Sequence, residues 1–150
     1  MEKLSVVVPC YNEEETIRLF LAESQLVESK MKQEVIFDYI FVNDGSTDAT
    51  LEVLRQVSKE FDNVHYLSFS RNFGKEAALL AGLEAADGDF VTVMDVDLQD
   101  PPEMLVDMYQ KIKEGFDVVG TRRSDRKGEP ARNCLCSFIR GRTPPVSRSS

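Results

Sequence analysis

Residues 35–61 read VIFDYIFVNDGSTDATLEVLRQVSKEF, an apolar run that passes through a polar loop into a segment of helical periodicity. The run is rich in Val, Ile, Phe and Tyr, which is typical of a strand covered on both faces in a parallel sheet. In the second half, apolar residues recur three or four positions apart, the spacing of one face of an α-helix. These positions are Leu51, Leu54, Val57 and Phe61. The stretch therefore predicts a buried strand followed by an amphipathic helix.

The same strand-then-helix unit recurs along the first 120 residues. The predicted strands are Leu4–Pro9, Val35–Val42, Val64–Phe69, Phe90–Met94 and a shorter Asp117–Gly120. The predicted helices are Glu13–Ser29, Ala49–Phe61, Lys75–Ala86 and Pro102–Glu114. Each interval between strands has room for a crossover helix, which favours parallel strands with right-handed connections. We expect one α/β domain, with a mostly parallel sheet and helices on both faces.

Charge divides the chain unevenly. Residues 1–120 hold 10 Lys or Arg against 24 Asp or Glu, whereas residues 121–150 hold 8 against 2. The acidic body argues against nucleic acid as the main partner, because binding to a phosphate backbone needs a broad basic surface. The basic end suits a single phosphate or an anionic membrane surface.

The sequence contains no export or membrane-spanning pattern, so we expect a cytoplasmic chain. Cys10, Cys134 and Cys136 form no even framework, and we expect free thiols. The segment from Arg122 to Ser150 has no strand or helix pattern, and we expect it to be poorly ordered.

Polar residues collect after each of the first four predicted strands. In open parallel sheets, ligands bind at the carboxyl ends of the strands, so these loops are the candidate site. They contain Tyr11, Asn12 and Glu13, then Asp44 to Asp48, then Ser70 to Lys75, then Asp95, Asp97, Gln99 and Asp100. A structural role stays open for each loop, because such residues also form turns and helix caps. Asn12, for example, suits a cap for the first helix.

The segment DVDLQD at residues 95–100 places three carboxylates within six positions. Their repulsion is costly unless a cation offsets it. In an extended segment Asp95, Asp97 and Gln99 converge on one side, while Val96 and Leu98 pack behind them. Such oxygen ligands suit Mg²⁺ or Mn²⁺ shared with substrate phosphates, although an ordinary solvated turn is the alternative.

We predict the role or the position of four further residues individually. Asp44 can accept a hydrogen bond from a pyrimidine imide or a guanine amide edge, and Arg71 and Lys75 can counter diphosphate charge or form ion pairs with nearby acids. His65 lies at the amino end of its strand, away from the site. The chain has no second histidine, no GxSxG, no GxGxxG and no GxxxxGK[ST], which disfavours hydrolase, dinucleotide and P-loop functions.

Four segments, in this order and spacing, resemble the family 2 glycosyltransferases of GT-A fold. They are VVVPCYNEEETI at 6–17, FVNDGSTDAT at 41–50, SRNFGKEAALLAG at 70–82 and VMDVDLQDPPE at 93–103. Within that family, the third and fourth segments are most similar to the polyprenyl-phosphate sugar transferases, such as dolichyl-phosphate mannose synthase and the bactoprenol glucosyltransferases. The resemblance covers about residues 3–123.

This resemblance implies a role for each matching residue. It implies that Pro9, Tyr11, Glu13, Asp44 and Asp95 bind the nucleotide, and that Asp95, Asp97 and Gln99 hold Mg²⁺ or Mn²⁺ on the diphosphate. It further implies that Asp97, Arg71, Lys75 and Arg122 take part in catalysis near the phosphate groups. We therefore divide the chain into a nucleotide-sugar-binding domain at 1–123 and a basic tail at 124–150.

After about residue 130 the sequence departs from that family, and we expect the chain to lack the C-terminal part of the fold. The resemblance implies an inverting transfer from a nucleoside-diphosphate sugar, UDP-linked or alternatively GDP-mannose, to a polyprenyl phosphate. The resemblance also implies that intact homologues are membrane-associated, so we expect the protein to act at the inner face of the membrane if its full-length form carries C-terminal membrane helices. Four alternatives stay open: a saccharide hydroxyl as acceptor, a nucleotide-binding fragment without catalysis, a nucleotidyltransferase, and a receiver-like domain.

Overall fold

The computed structural model of the chain describes residues 2–98, 101–115, 118–120 and 137–140. The strands are β1 (Glu2–Cys10), β2 (Val35–Asn43), β3 (Val64–Ser68), β4 (Phe90–Val93), β5 (Val118–Gly120) and β6 (Ser137–Arg140). The helices are α1 (Ile17–Met31), α2 (Thr50–Glu60), α3 (Lys75–Ala85) and α4 (Met104–Lys113). The predicted alternation of strands and helices is confirmed through β5.

The six strands form one sheet in the order β3-β2-β1-β4-β6-β5. The first four strands pair in parallel, so the mostly parallel sheet is confirmed. β6 pairs antiparallel with both β4 and β5, and therefore separates them. The antiparallel β6 at this edge is compatible with a mostly parallel sheet, and it lies there because β4 takes its neighbour from farther along the chain.

Within 122–150, the described residues Ser137–Arg140 form a strand, contrary to our expectation. Ser137–Arg140 is four residues long, too short for the period of an apolar pattern to be visible within a basic segment. The rest of 124–150, with its predicted poor order, lies outside the described residues. The domain boundary at residue 123 stays a prediction.

Helices cover both faces of the sheet, as predicted. One face of β1 and β2 packs into a core cluster with α1, α2 and α4, in which Phe20 meets Phe41 edge-on with ring centroids 6.0 Å apart. The opposite face packs against α3. Because both faces are covered, β1 and β2 are apolar almost throughout. In the described ranges, no helix is long and apolar enough to cross a bilayer.

Gly82 brings α3 unusually close to the sheet. A Cβ at this position would lie 2.3 Å from Val7 Cγ1 and 3.2 Å from Val42 Cγ2, so only glycine allows this approach. The contact fixes α3 across β1 and β2. As a result, the first residue of the helix, Lys75, lies at the carboxyl edge of the sheet, among the polar loops.

Candidate functional site

A cleft of about 320 Å³ opens at the carboxyl ends of β1, β2 and β4. Its lining consists of Pro9, Cys10, Tyr11, Glu13, Asp44, Lys75, Ala78, Asp95, Val96 and Asp97. Seven of these are site residues predicted from the sequence, so the structure brings most of the candidates together. Arg71 is not among the lining residues, and Gln99 and Arg122 lie outside the described residues.

Asn12 fastens the loop after β1 to the loop after β2. Its backbone N–H donates to Ser46 Oγ at 2.9 Å, and its side-chain Oδ1 accepts from the backbone N–H of Thr47 at 2.8 Å. Its φ of 52° lies in the left-handed region, which Asn adopts more readily than most residues. Our prediction that Asn12 caps the first helix is wrong, because α1 begins only at Ile17 and Asn12 joins two loops instead.

The acids after Asn12 support the same junction. The backbone N–H of Glu13 donates to Thr50 Oγ1 at 2.9 Å, and Glu14 Oε2 accepts from the backbone N–H of Ala49 at 3.1 Å. The Glu13 carboxylate accepts a 2.7 Å hydrogen bond from the Thr16 hydroxyl, which orients it beside the cleft. Hydrogen bonds therefore join the motif NEEET (residues 12–16) to the motif DGSTDAT (residues 44–50), so part of the role of these motifs is to hold the two loops together.

Asp44 is almost fully buried at the end of β2, with 4% of its surface exposed. Its Oδ1 accepts from the backbone N–H of Phe73 at 2.8 Å, and its Oδ2 accepts from the backbone N–H of Gly74 at 3.1 Å. The carboxylate thus holds the loop that leads into α3. Each oxygen has a second lone pair, so the same group can still accept a hydrogen bond from a base.

Gly45 lets this loop approach the end of β2. Its φ is 66°, and a Cβ here would lie 2.1 Å from the carbonyl carbon of Arg71 and 2.3 Å from the amide nitrogen of Asn72. No side chain fits in that space. Glycine is therefore required both for the backbone conformation and for the contact between the loops.

Asp95 and Asp97 follow β4 and line the cleft from its other side. Residues 96–98 form a turn, in which Leu98 has a φ of 60°. Our prediction that an extended segment makes alternate residues converge is therefore wrong, since the turn brings the acids together. The prediction that Leu98 packs behind the acids is confirmed, because it packs against the core. Val96 is buried as predicted, but it also lines the cleft.

The two basic candidates differ in position. Lys75 Nζ lies 2.9 Å from Asp95 Oδ1, inside the cleft. The Arg71 guanidinium lies over the Phe73 ring, 4.7 Å from its centroid, in the neighbouring exposed loop. Lys75 therefore joins the predicted site directly, whereas Arg71 lies beside it.

Sequence reasoning missed Cys10, Ala78 and Val96 as lining residues. Burial is the main factor that raises the pKa of the Cys10 thiol. Cys10 therefore lines the cleft as an unreactive thiol and does not act as a nucleophile. Ala78 lies three residues after Lys75 on α3, and this helical spacing was the available signal. Val96 separates the two acids in sequence.

His65 lies at the amino end of β3, away from the cleft, as predicted. Its Nε2 is 3.0 Å from Asp38 Oδ1, and Lys3 Nζ is 3.8 Å from the other oxygen of that carboxylate. Burial raises the pKa of Asp38, while Lys3 and His65 oppose that rise. This cluster belongs to the opposite edge of the sheet.

The charges of the cleft fit a divalent cation. Of the described lining residues, Glu13, Asp44, Asp95 and Asp97 carry carboxylates and Lys75 alone is basic. No group of three His, Cys, Asp or Glu side chains that could hold a metal occurs in the described part of the chain. Two carboxylates are nonetheless enough for Mg²⁺, which completes its coordination with water and substrate phosphates.

Comparison with known proteins adds independent evidence. The family described as "Glycosyl transferase family 2" matches residues 5–145, farther along the chain than the resemblance predicts. A prophage bactoprenol glucosyl transferase homolog of Escherichia coli (strain K12) is 45% identical over 124 residues, covering 83% of this chain and 40% of the relative. An undecaprenyl-phosphate 4-deoxy-4-formamido-L-arabinose transferase of Photorhabdus laumondii is 38% identical over 140 residues, covering 93% and 42%. The chain thus spans about two fifths of these relatives.

Solved structures agree on the fold. S. aureus TarS 1-349 in complex with UDP-GlcNAc superposes with a TM-score of 0.69 at 26% identity, over 92% of this chain and 45% of that one. The mannosyltransferase PcManGT from Pyrobaculum calidifontis, in complex with GDP-Man and Mn²⁺, superposes with a TM-score of 0.73 at 18% identity, over 93% and 44%. The predicted GT-A architecture is confirmed. Because the family match runs through all the loops that build the cleft, the chain belongs to glycosyltransferase family 2.

Proposed function

We propose that this chain forms the donor side of an inverting glycosyltransferase that moves a sugar from a nucleoside diphosphate to a polyprenyl phosphate. One observation carries the proposal: Asp44, Asp95, Asp97 and Lys75 line a single cleft at the carboxyl edge of the sheet. In this proposal Asp44 accepts a hydrogen bond from the base, and Asp95 and Asp97 would hold a metal on the diphosphate. A UDP-sugar is the first candidate donor and GDP-mannose the second.

The chemistry follows from these charges. An acceptor oxygen attacks the anomeric carbon, the bond from that carbon to the diphosphate oxygen breaks, and the nucleoside diphosphate leaves with the electron pair. Asp95 and Asp97 would hold Mg²⁺ or Mn²⁺, which stabilises the charge on the departing diphosphate. A single displacement inverts the anomeric configuration.

The acceptor is proposed from the relatives and from its acid–base chemistry. Two relatives carry names that refer to bactoprenol and undecaprenyl phosphate. A phosphate monoester with a second pKa of about 6 is already ionised at neutral pH, so the attacking oxygen needs no general base. We propose that the whole protein acts at the inner face of a membrane, where a polyprenyl acceptor resides.

Calorimetry tests the donor side. UDP- and GDP-sugars are titrated into the chain with Mn²⁺ and with excess chelator, and binding is expected only with the metal. Asp97→Asn should weaken the metal-dependent affinity roughly 10- to 100-fold, because a charged ligand of the metal is lost. Asp62→Asn, at an exposed position after α2, is the matched control and should bind as the wild type. Equal binding with and without the metal would contradict the proposal.

A further inference from the structure

Lys75 and Asp95 form an ion pair between two elements of the cleft. Lys75 is the first residue of α3, Asp95 follows β4, and Nζ lies 2.9 Å from Oδ1. The Lys75 side chain is 61% exposed and that of Asp95 is 28% exposed. An ion pair this exposed contributes little to folding stability. A purely structural role, in which the pair holds α3 against the loop after β4, therefore explains it poorly.

The ammonium occupies a position where a divalent cation is also favoured. Asp95 directly precedes the turn at residues 96–98, Asp97 lies within it, and both line the cleft with Glu13 and Asp44. Lys75 supplies one positive charge against these four carboxylates. A metal ligated by the Asp95 carboxylate would be repelled by an ammonium within hydrogen-bonding distance of the same group. The two cations therefore compete for Asp95.

A lysine side chain can readily move away from Asp95 when another cation binds there. Its ammonium is a compact point charge on a flexible four-carbon stem, with three rotatable donors and no fixed geometry. The side chain can leave Asp95 without movement of the α3 backbone, which Gly82 fixes against Val7 and Val42. Once released, the ammonium is still at the cleft and is available to an incoming diphosphate.

We propose that Lys75 is a resident counter-ion that the divalent metal displaces from Asp95 and that then pairs with the donor diphosphate. The inference rests on the proposed function, because it assumes a metal at Asp95 and Asp97. The inference goes beyond the proposed function because it gives Lys75 opposite effects on metal binding and on nucleotide binding. Lys75 weakens binding of the metal alone and strengthens binding of the nucleotide.

Two titrations on the 150-residue chain test this pair of effects. In the first, Mn²⁺ is titrated into nucleotide-free wild type, Lys75→Met, Lys75→Arg and Lys59→Met. We expect Lys75→Met to bind Mn²⁺ roughly two- to fivefold more tightly, as loss of one exposed charge interaction allows. Lys75→Arg keeps the charge and should not gain affinity. Lys59→Met removes an exposed lysine of α2 and should match the wild type.

In the second titration, UDP is added at saturating Mn²⁺, and Lys75→Met is expected to bind UDP more weakly than the wild type. NMR of the Lys75 ammonium gives a readout independent of affinity, since Mg²⁺ without nucleotide should shift its signal in the wild type but not in Asp95→Asn. If Lys75→Met fails to fold, Lys75→Gln replaces it in both titrations.

The outcomes separate this inference from the proposed function. Tighter Mn²⁺ binding together with weaker UDP binding supports it. Unchanged or weaker Mn²⁺ binding in Lys75→Met, while Asp95→Asn abolishes binding in the wild-type background, overturns the role of Lys75 and leaves the metal site standing. Absence of any Asp95-dependent Mn²⁺ binding overturns both.

Discussion

The Asp44 carboxylate accepts a 2.8 Å hydrogen bond from the backbone N–H of Phe73, across 29 positions of sequence. Its second oxygen accepts from the backbone N–H of Gly74. One buried acid therefore determines where the loop before α3 lies, and with it Lys75 at the start of that helix. A residue expected to recognise a base also builds the cleft in which the base would lie.

Asp44→Asn should destabilise the chain and weaken nucleotide binding. An amide offers one oxygen, so one of the two backbone N–H groups loses its acceptor and faces an NH₂ group. We expect the free energy of unfolding in urea to fall by about 1–3 kcal/mol, the range for a buried donor left unsatisfied. Asp62→Asn, which alters an exposed acid, should change it by less than about 0.5 kcal/mol. Equal stabilities of the two variants would contradict the structural role of Asp44.

Gly45→Ala should displace the loop after β3. The new Cβ would collide with backbone atoms of Arg71 and Asn72, which cannot rotate away as a side chain can. Gly115→Ala is the control for strain alone, since Gly115 also has a positive φ, but a Cβ there would have no atom of the described residues, its chain neighbours aside, within 4 Å. Urea denaturation should show a larger loss for Gly45→Ala, and only that variant should lose UDP affinity. A larger loss for Gly115→Ala would remove the collision argument.

Asn12 should tolerate Asp but not Ala. Asp keeps an acceptor for the backbone N–H of Thr47 and still suits the left-handed backbone, whereas Ala does neither. We expect Asn12→Ala to lower the free energy of unfolding by about 1–2 kcal/mol and Asn12→Asp to stay near the wild type. Thermal and urea unfolding measure both. A loss of similar size in the two variants would show that the side-chain oxygen is not what matters.

The sheet and the location of the cleft could be predicted because they depend on local patterns. Buried parallel strands are apolar almost throughout, and parallel strands place all their following loops at one edge. Asp44, Lys75, Asp95 and Asp97 could therefore be assigned to this edge from the sequence alone. The local sequence pattern around each strand was sufficient to locate the cleft.

The features that the sequence did not predict depend mainly on contacts between segments that are far apart in the chain. The strand Ser137–Arg140 exists through its partners β4 and β5, and four residues have no period of their own. Likewise, nothing local to Asn12 reveals that its side chain bonds to Thr47, 35 positions away. The turn at residues 96–98 differs from an extended segment through a positive φ at Leu98, a residue type that rarely adopts it.

Glu28 gives a prediction for the pH dependence of stability. Burial raises the pKa of this carboxyl, even though Tyr39 and Asn63 donate hydrogen bonds to it at 3.2 and 3.1 Å. In the unfolded chain the group has its ordinary pKa of 4.5. Between that value and the raised folded pKa, the folded state holds more protons than the unfolded state, so stability falls as the pH rises.

Glu28→Gln isolates this contribution, because every other titrating group is common to the two proteins. Gln lowers stability by an offset that does not vary with pH, since its NH₂ group replaces one acceptor. The difference in free energy of unfolding, wild type minus Glu28→Gln, should therefore be largest below pH 4.5 and decrease as the pH rises through the raised folded pKa. Urea denaturation at half-unit steps of pH measures it. A difference that grows with pH would mean that the two hydrogen bonds outweigh burial and that the folded pKa is lowered.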